Sequence, residues 1–499
     1  MFRFLSVLAV SLILFASCGG DSPNDNHEQV VEKQYLVLSS QSIANESEVE
    51  SSKIKELVLS YNKMISLSNT GSVKVNGIES QVSVSGTSAT IQLNLTEGST
   101  YKVVIPEGTF TGKIDNNTIS PAFSLTFTTK AAAKADKSKI AKSLTNSNAT
   151  KEARNVYDFL LQQYGEKTLS GVQSGMSNTN DYVNAVGDNI GKHPALAGYD
   201  FLYLNFSPTP ANWSWQQNYN DISAQKEQWA NNGLVCYMWH WNVPNSEVDF
   251  NNCVEKNSTE NMGFYCPGSG NGNGETSFDI REALKDGTWQ NKCILRDIEE
   301  LAGYIKNLQD ANIPILFRPL HEAAGNYTKY NKNGGSWFWW GRYGAEYCKK
   351  LYQLLHDQLT IKYGLNNIIW VWTIDVLEGY ESSAKEWYPG NEYVDIVGFD
   401  VYTKNESNDH LKAQKDKFDF LTAVTDGTKI TTISECGNMI EPSAQKENSI
   451  YWSWFMVWSS KDADGNINIS GYPKNTKDYW SSVINNKYVI NREDMPSLK

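Results

Sequence analysis

Two glutamates occupy comparable places in this sequence, because each stands at the end of a short apolar segment. Glu322 follows the segment 314–320, and Glu435 closes the segment 429–435. A single glutamate at such a place usually forms a surface salt bridge or caps a helix, whereas a pair favours a catalytic role. Glycoside hydrolysis needs two carboxyl groups, one neutral to protonate the leaving oxygen and one ionised to attack the sugar or activate water.

Such a pair requires a fold that brings distant strand ends together. From residue 149 onward, short and nearly continuous apolar segments alternate with helix-like stretches such as 295–308 and 343–355. This order predicts a (β/α)₈ TIM barrel over residues 149–499, with its active site at the carboxyl ends of the strands. The predicted strands are 168–174, 194–201, 234–241, 314–320, 367–374, 393–400, 429–435 and 454–459.

The segments around the two glutamates resemble glycoside hydrolase family 26, the β-mannanase-like family of clan A. The resemblance covers roughly residues 150 to 490, and its most specific part is the His321-Glu322 pair together with Ser434-Glu435. It implies retaining hydrolysis in a (β/α)₈ barrel, with Glu322 as acid/base after strand four and Glu435 as nucleophile after strand seven. The matching segments are 169–173, 194–200, 237–244, 317–322, 334–341 and 433–437.

The same resemblance implies further substrate-binding residues. Tyr402 matches a tyrosine that hydrogen-bonds near the nucleophile, and Trp458 matches the floor of the subsite that holds the cleaved sugar. His321 is expected to contact the sugar or to tune Glu322. His240, Trp337 and Trp340 are further subsite candidates, with a core position as the alternative for each. The mechanism requires no metal and no organic cofactor.

The function most favoured is a retaining endo-β-1,4-mannanase that hydrolyses β-mannan, galactomannan or glucomannan. A mixed-linkage β-glucanase, a β-1,3-xylanase and a mannobiose-releasing exo-enzyme stay open, as does a non-catalytic glycan-binding surface lipoprotein. All 16 tryptophans lie at or after Trp213; most are expected in the core, and a minority to line a groove where they can stack on sugar rings. The net charge of −12 argues against nucleic acid as a partner.

The long segment 251–289 departs from the family pattern and can wall off one end of the cleft. Cys253 and Cys266 within it are candidates for a disulfide.

The amino-terminal part resembles a bacterial surface lipoprotein. Residues 1–18 form an apolar signal peptide ending in a lipobox, with the lipid expected on Cys18. Residues 19–33 are expected to be a flexible tether, 34–130 an Ig-like β-sandwich and 131–148 a linker or a short helix. We therefore expect a monomeric outer-membrane lipoprotein, facing the surface or the periplasm, within a glycan-uptake system. An ordinary secretory signal with an incidental cysteine is the alternative.

Overall fold

The computed structural model describes the chain in two compact units, residues 1–133 and 134–499. In the part of the chain that it describes, no helix is long and apolar enough to cross a membrane. The described residues are 33–49, 54–68, 71–96, 98–115, 117–129, 137–174, 178–206, 217–256, 261–269, 274–325, 336–375 and 385–499.

The described residues of the first unit form strands only. Burial alternates along β10, where Tyr101, Val103 and Ile105 point into the core, as expected for a strand with one covered face. The strands pair in the orders β1-β12-β11-β5, β2-β4-β9-β8 and β3-β13-β10-β6-β7. They are β1 Gln34–Tyr35, β2 Leu38–Gln41, β3 Glu48–Val49, β4 Glu56–Tyr61, β5 Ile65–Leu67, β6 Lys74–Val75, β7 Ile78–Glu79, β8 Val82–Ser85, β9 Ser88–Gln92, β10 Thr100–Ile105, β11 Phe110–Gly112, β12 Thr118–Ile119 and β13 Phe123–Thr129.

The second unit is a closed barrel of eight parallel strands in the order β14-β15-β16-β19-β20-β21-β22-β23, with β23 and β15 both paired to β14. Every residue of these eight strands is buried, which explains their continuous apolarity in the sequence. All eight predicted strands are confirmed. The strands are β14 Thr168–Gln173, β15 Leu196–Asp200, β16 Leu234–Trp239, β17 Val243–Pro244, β18 Met262–Gly263, β19 Ile315–Pro319, β20 Ile368–Ile374, β21 Ile396–Val401, β22 Ile430–Cys436, β23 Trp454–Val457 and β24 Val489–Ile490.

Helices follow most of the barrel strands and cover the outside of the barrel. The two predicted helices are confirmed as α6 and α7, and α7 continues into a π-helix at Asp357–Lys362. The side chains of Thr150 and Thr288 cap the first turns of α1 and α6 by accepting backbone N–H groups. The helices are α1 Lys151–Gln163, α2 Asp181–Ile190, α3 Ser223–Ala230, α4 Glu247–Lys256, α5 Ile280–Ala283, α6 Trp289–Asp310, α7 Ala345–His356, α8 Lys415–Val424, α9 Pro442–Glu447 and α10 Lys477–Ile484.

Near the end of the predicted linker, Ile140 and Leu144 are buried in the barrel's core and the Thr145 N–H donates to Asp395 at 2.7 Å. The linker bounds of 131–148 stay a prediction. One expectation from the sequence differs from the structure. The disulfide between Cys253 and Cys266 is absent, and both thiols are free and buried. Each sulfur has another neighbour: Arg296 Nη1 lies 3.4 Å from Cys253, and the Cys266 thiol donates to the Phe338 carbonyl at 3.1 Å.

Candidate active site

The backbone after β19 and within β22 places the two predicted catalytic glutamates. Leu320 and Glu322 both adopt left-handed backbone conformations, with φ of 51° and 53°, so the chain turns sharply after the strand. Non-glycine residues in this region store strain of about 1–3 kcal/mol and cluster at functional sites. In β22 the pairing register with β21 shifts between Phe399 and Asp400, so that Asp400 pairs with Glu435. Such a bulge redirects side chains at the mouth of a barrel.

These turns bring three carboxyl groups together. One oxygen from each of Glu322, Asp400 and Glu435 lies within 4.8 Å of the others. Retaining glycosidases separate their two carboxyl groups by about 5–5.5 Å, whereas inverting enzymes leave about 6.5–9.5 Å for a water molecule. The separation of Glu322 and Glu435 therefore fits a retaining mechanism. A cluster of this kind can also hold a cation, and here the Arg318 guanidinium supplies positive charge beside two of its members.

Two donors hold both oxygens of Glu435. Arg318 Nη2 donates to Oε2 at 2.6 Å, and the Tyr402 hydroxyl donates to Oε1. The other nitrogen of Arg318, Nη1, donates to Asp400 Oδ2 at 2.9 Å. Arg318 is only 2% exposed, so these charge-assisted bonds form away from water, where they are stronger. Glu435 is thereby presented as a fixed, acceptor-only carboxylate, as a nucleophile requires.

Glu322 has the opposite environment. Burial raises the pKa of its carboxyl well above the usual value, and the negative charges of Asp375 and Glu435 raise it further. The positive charge of Arg318 opposes this shift of the pKa but does not cancel it. Two neighbouring carboxyls whose surroundings differ in this way divide into an acid and a base. Glu322 therefore keeps its proton to a higher pH than an ordinary carboxyl does and can donate it to a leaving oxygen.

Two aromatic side chains predicted to bind substrate lie beside this pair. Tyr402 follows β21 directly and is 48% exposed, although its hydroxyl reaches Glu435. Trp458 follows β23 directly and is half-buried, and its backbone N–H donates to the Cys436 carbonyl at 2.8 Å. Both rings stand at the carboxyl ends of barrel strands, where a sugar would bind.

The two predicted histidines are adjacent. The rings of His240 and His321 meet edge to face at 4.6 Å, and the His240 ring lies 6.2 Å from that of Trp458. Burial lowers the pKa of His321 well below its usual value, and the positive charge of Arg318 lowers it further. His321 is therefore neutral and offers a hydrogen bond without competing for the proton of Glu322.

The two predicted tryptophans of the segment after Glu322 divide into different roles. Trp340 is fully buried, stacks on Phe338 at 4.4 Å and donates its indole N–H to the His321 carbonyl at 2.9 Å. This burial favours the core position that was the alternative for Trp340, and its contact with substrate stays a prediction. Trp337 is half-buried and packs over Gly325, where an added Cβ would lie 2.1 Å from Cζ2. Its contact with substrate stays a prediction.

Arg318, Asp375 and Asp400 belong to the site but were not predicted from the sequence. All three are charged residues in or directly after otherwise apolar barrel strands, β19, β20 and β21. Charge inside a buried strand was the signal that could have identified them, since an unpaired buried charge is costly and rarely kept without a partner.

Residues 261–269 border the site on another side. Tyr265 stacks on Phe338 at 5.6 Å, and the Cys266 N–H donates to the Trp337 carbonyl at 2.8 Å. The charge of Glu322 contributes to a raised pKa of Tyr265, after burial. Part of the insertion predicted to shape the cleft is thus hydrogen-bonded to the strand-four side of the site.

A (β/α)₈ barrel with a close glutamate pair after strands four and seven defines a class of retaining glycoside hydrolases. The sequence matches the family described as Glycosyl hydrolase family 26 over residues 145–494. The protein belongs to this family.

Similar proteins include two curated relatives and a solved structure. The chain is 29% identical over 375 residues to mannan endo-1,4-beta-mannosidase A of Piromyces sp, which covers 74% of this chain and 53%, about half, of that protein. It is 29% identical over 469 residues to a mannan endo-1,4-beta-mannosidase of Thermothelomyces thermophilus, covering 92% of this chain and 83% of the relative. A β-mannanase from a symbiotic protist of the termite Reticulitermes speratus, solved with a gluco-manno-oligosaccharide, is 30% identical with a TM-score of 0.58. That match covers 72% of this chain and 99% of the solved one.

Proposed function

We propose that the protein is a retaining endo-β-1,4-mannanase acting on β-mannan, galactomannan or glucomannan. The observation that carries the proposal is the pair Glu322 and Glu435, with oxygens within 4.8 Å and contrasting surroundings. The names of the Piromyces and Thermothelomyces relatives support the choice of substrate.

The mechanism has two displacements. Glu435 attacks the anomeric carbon while the bond to the leaving oxygen breaks and Glu322 donates its proton to that oxygen. The glycosyl–Glu435 ester is then attacked by water, whose proton passes to Glu322, and the ester bond breaks to release the sugar. Arg318 and Tyr402 hold Glu435 for the attack and receive it again as a carboxylate when the ester breaks.

Product analysis of the purified protein tests this proposal. We expect a ladder of manno-oligosaccharides from mannan and galactomannan, and no cleavage of mixed-linkage β-glucan or β-1,3-xylan. Proton NMR during the first turnovers should show the β-anomer, because two inversions retain configuration. Cleavage of the glucan or the xylan alone would overturn the substrate, and the α-anomer would overturn the mechanism. No cleavage of any would favour a glycan-binding protein.

A mannobiose-releasing exo-enzyme is the second candidate. It is favoured by residues 264–266, which are hydrogen-bonded to residues 337 and 339 and place the Phe264 ring 5.0 Å from His240. A wall so close to the site can limit how many sugars bind on one side. Mannobiose as the sole early product from a long mannan would establish this mode of action, whereas a ladder would exclude it.

For the amino-terminal part we propose an Ig-like β-sandwich that serves as a spacer, and an outer-membrane lipoprotein anchor at Cys18. Three paired strand sets over 34–129 and the lipobox sequence support this, although Cys18 lies outside the described residues. We further propose a monomer within a glycan-uptake system. Labelling of cells with radioactive palmitate tests the anchor: Cys18→Ser should abolish incorporation, and label retained by that variant would refute it.

A further inference from the structure

Asp200 is a buried carboxylate beside the active site that the proposed mechanism does not use. It is the last residue of β15 and is 1% exposed. Both of its oxygens contact His240, the residue directly after the neighbouring strand β16. Oδ1 accepts the His240 backbone N–H at 3.0 Å, and Oδ2 lies 2.6 Å from the ring nitrogen Nδ1. Backbone and ring of His240 are thus fixed by a single side chain.

This contact determines which ring nitrogen carries the proton. A neutral imidazole has one donor and one acceptor nitrogen, and an ionised carboxylate can only accept. Nδ1 is therefore the nitrogen placed to donate to Asp200, and in the neutral ring this leaves a lone pair on Nε2.

The His240 ring packs among aromatic side chains and keeps part of its surface exposed. Ring contacts with Phe264 at 5.0 Å, Phe338 at 5.5 Å and His321 at 4.6 Å enclose the imidazole. Its side chain nevertheless stays 13% exposed, and the ring of Trp458 is 6.2 Å away. A sugar above Trp458 would therefore meet the free edge of His240.

We propose that Asp200 is a positioning residue that fixes His240 as the Nδ1–H tautomer, so that Nε2 accepts a hydrogen bond from a hydroxyl of the sugar being cleaved. The identity of that sugar as a mannosyl unit rests on the proposed function. The tautomer itself does not.

Asp200→Asn tests the proposal with little change of shape. The amide oxygen still accepts the backbone N–H of His240, but the amide nitrogen now donates to Nδ1 and moves the ring proton to Nε2. The sugar hydroxyl then faces a donor instead of an acceptor. We expect kcat/KM on mannohexaose to fall about 10–100-fold, the effect of leaving a buried polar group unpaired. Most of the loss should appear in kcat, because hydrogen bonds to the reacting sugar strengthen in the transition state.

Nitrogen-15 NMR of the histidine side chains in the full chain reads the tautomer directly. The His240 signals are assigned by their disappearance in His240→Ala. We expect the Nδ1–H pattern in the wild type and the Nε2–H pattern in Asp200→Asn. An Nε2–H or doubly protonated His240 in the wild type at neutral pH would overturn the proposal, even if Asp200→Asn fails to fold. An Nδ1–H pattern in a protein that cleaves no mannan would keep the proposal and refute the function.

A double mutant separates positioning from general support of the fold. If Asp200 acts through His240, adding Asp200→Asn to His240→Ala should cost no further activity. An equal loss in both backgrounds would refute the proposal. Asp395→Asn is the matched control, because Asp395 is equally buried and accepts the Trp370 and Thr145 N–H groups away from the site. It should lower the Tm and change kcat/KM by no more than about twofold.

Discussion

The carboxyl ends of β19 and β22 carry the same side chain in opposite settings. After β19, Glu322 has negative neighbours and a raised pKa, whereas in β22 Glu435 is held by two donors, Arg318 and Tyr402. Arg318 itself belongs to β19, so this strand and the turn that follows it supply both the acid and one of the two donors that hold the nucleophile. The surroundings of the two glutamates, and not their residue type, therefore divide the two roles.

The largest expected effect comes from removing the Glu435 carboxylate, which Arg318 and Tyr402 hold. Glu435→Ala should lower kcat/KM on mannan by about 10⁴-fold or more, because no covalent intermediate can form. Glu447→Ala, at an exposed position, is the control and should act like the wild type. Substantial turnover by Glu435→Ala, with its fold verified by circular dichroism, would remove the nucleophile assignment.

Removing the acid should have an effect that depends on the leaving group. Glu322→Ala should slow mannan hydrolysis by about 10²–10⁴-fold, the range for general acid catalysis. Dinitrophenyl mannobioside, whose leaving group needs no proton, should form the glycosyl-enzyme at nearly the wild-type rate. Stopped-flow release of dinitrophenol measures this step, and equal slowing of both substrates would contradict the role of Glu322.

Removing the Arg318 guanidinium should lower the free energy of unfolding as well as the activity. Arg318→Met leaves Asp400 and Glu435 buried without their positive partner, which costs about 3–5 kcal/mol of unfolding free energy. Urea denaturation measures this loss. Arg281→Met is the comparison, since Arg281 pairs with Asp279 at an exposed position and should cost less than about 1 kcal/mol. Similar losses in the two variants would show that the buried network contributes little.

Tyr402→Phe removes one of the two donors that hold Glu435 and leaves the other, Arg318, in place. Loss of one hydrogen bond to a charged group costs about 1.5–3 kcal/mol, so kcat/KM should fall about 10–100-fold. Tyr388→Phe removes a hydroxyl that donates to Asn391 outside the site and should leave kcat/KM unchanged. Steady-state kinetics on mannohexaose distinguish them. An unaffected Tyr402→Phe would mean that Arg318 alone orients Glu435.

The smallest expected effect concerns the pH profile. The proton of Glu322 is needed in the first step, so kcat/KM should fall as pH rises through its raised pKa. Asp375→Asn removes a negative charge that raises this pKa, and the alkaline limb should therefore move to lower pH. Asp310→Asn, in an exposed pair with Lys306, should leave the limb in place. If the alkaline limb does not move in Asp375→Asn, the charge of Asp375 does not contribute to the raised pKa of Glu322.

The stability of the fold should follow the same pKa shift. A carboxyl with a raised folded-state pKa stabilises the protein below its unfolded pKa, and this contribution is lost as pH rises through the folded value. Glu322→Gln should therefore unfold at a higher temperature than the wild type near neutral pH. A calorimetric Tm below that of the wild type would contradict this.

The eight barrel strands and the two glutamates could be predicted from the sequence. Buried parallel strands are apolar on both faces, so they are visible as runs in one dimension, and Glu322 and Glu435 stand at the ends of two of them. The tertiary structure alone decided that Arg318 joins Asp400 to Glu435, because residues far apart in the chain meet only when the barrel closes. It also decided that Trp340 is buried and that Cys253 and Cys266 stay apart, since solvent access and cysteine geometry depend on neighbouring elements that no local pattern encodes.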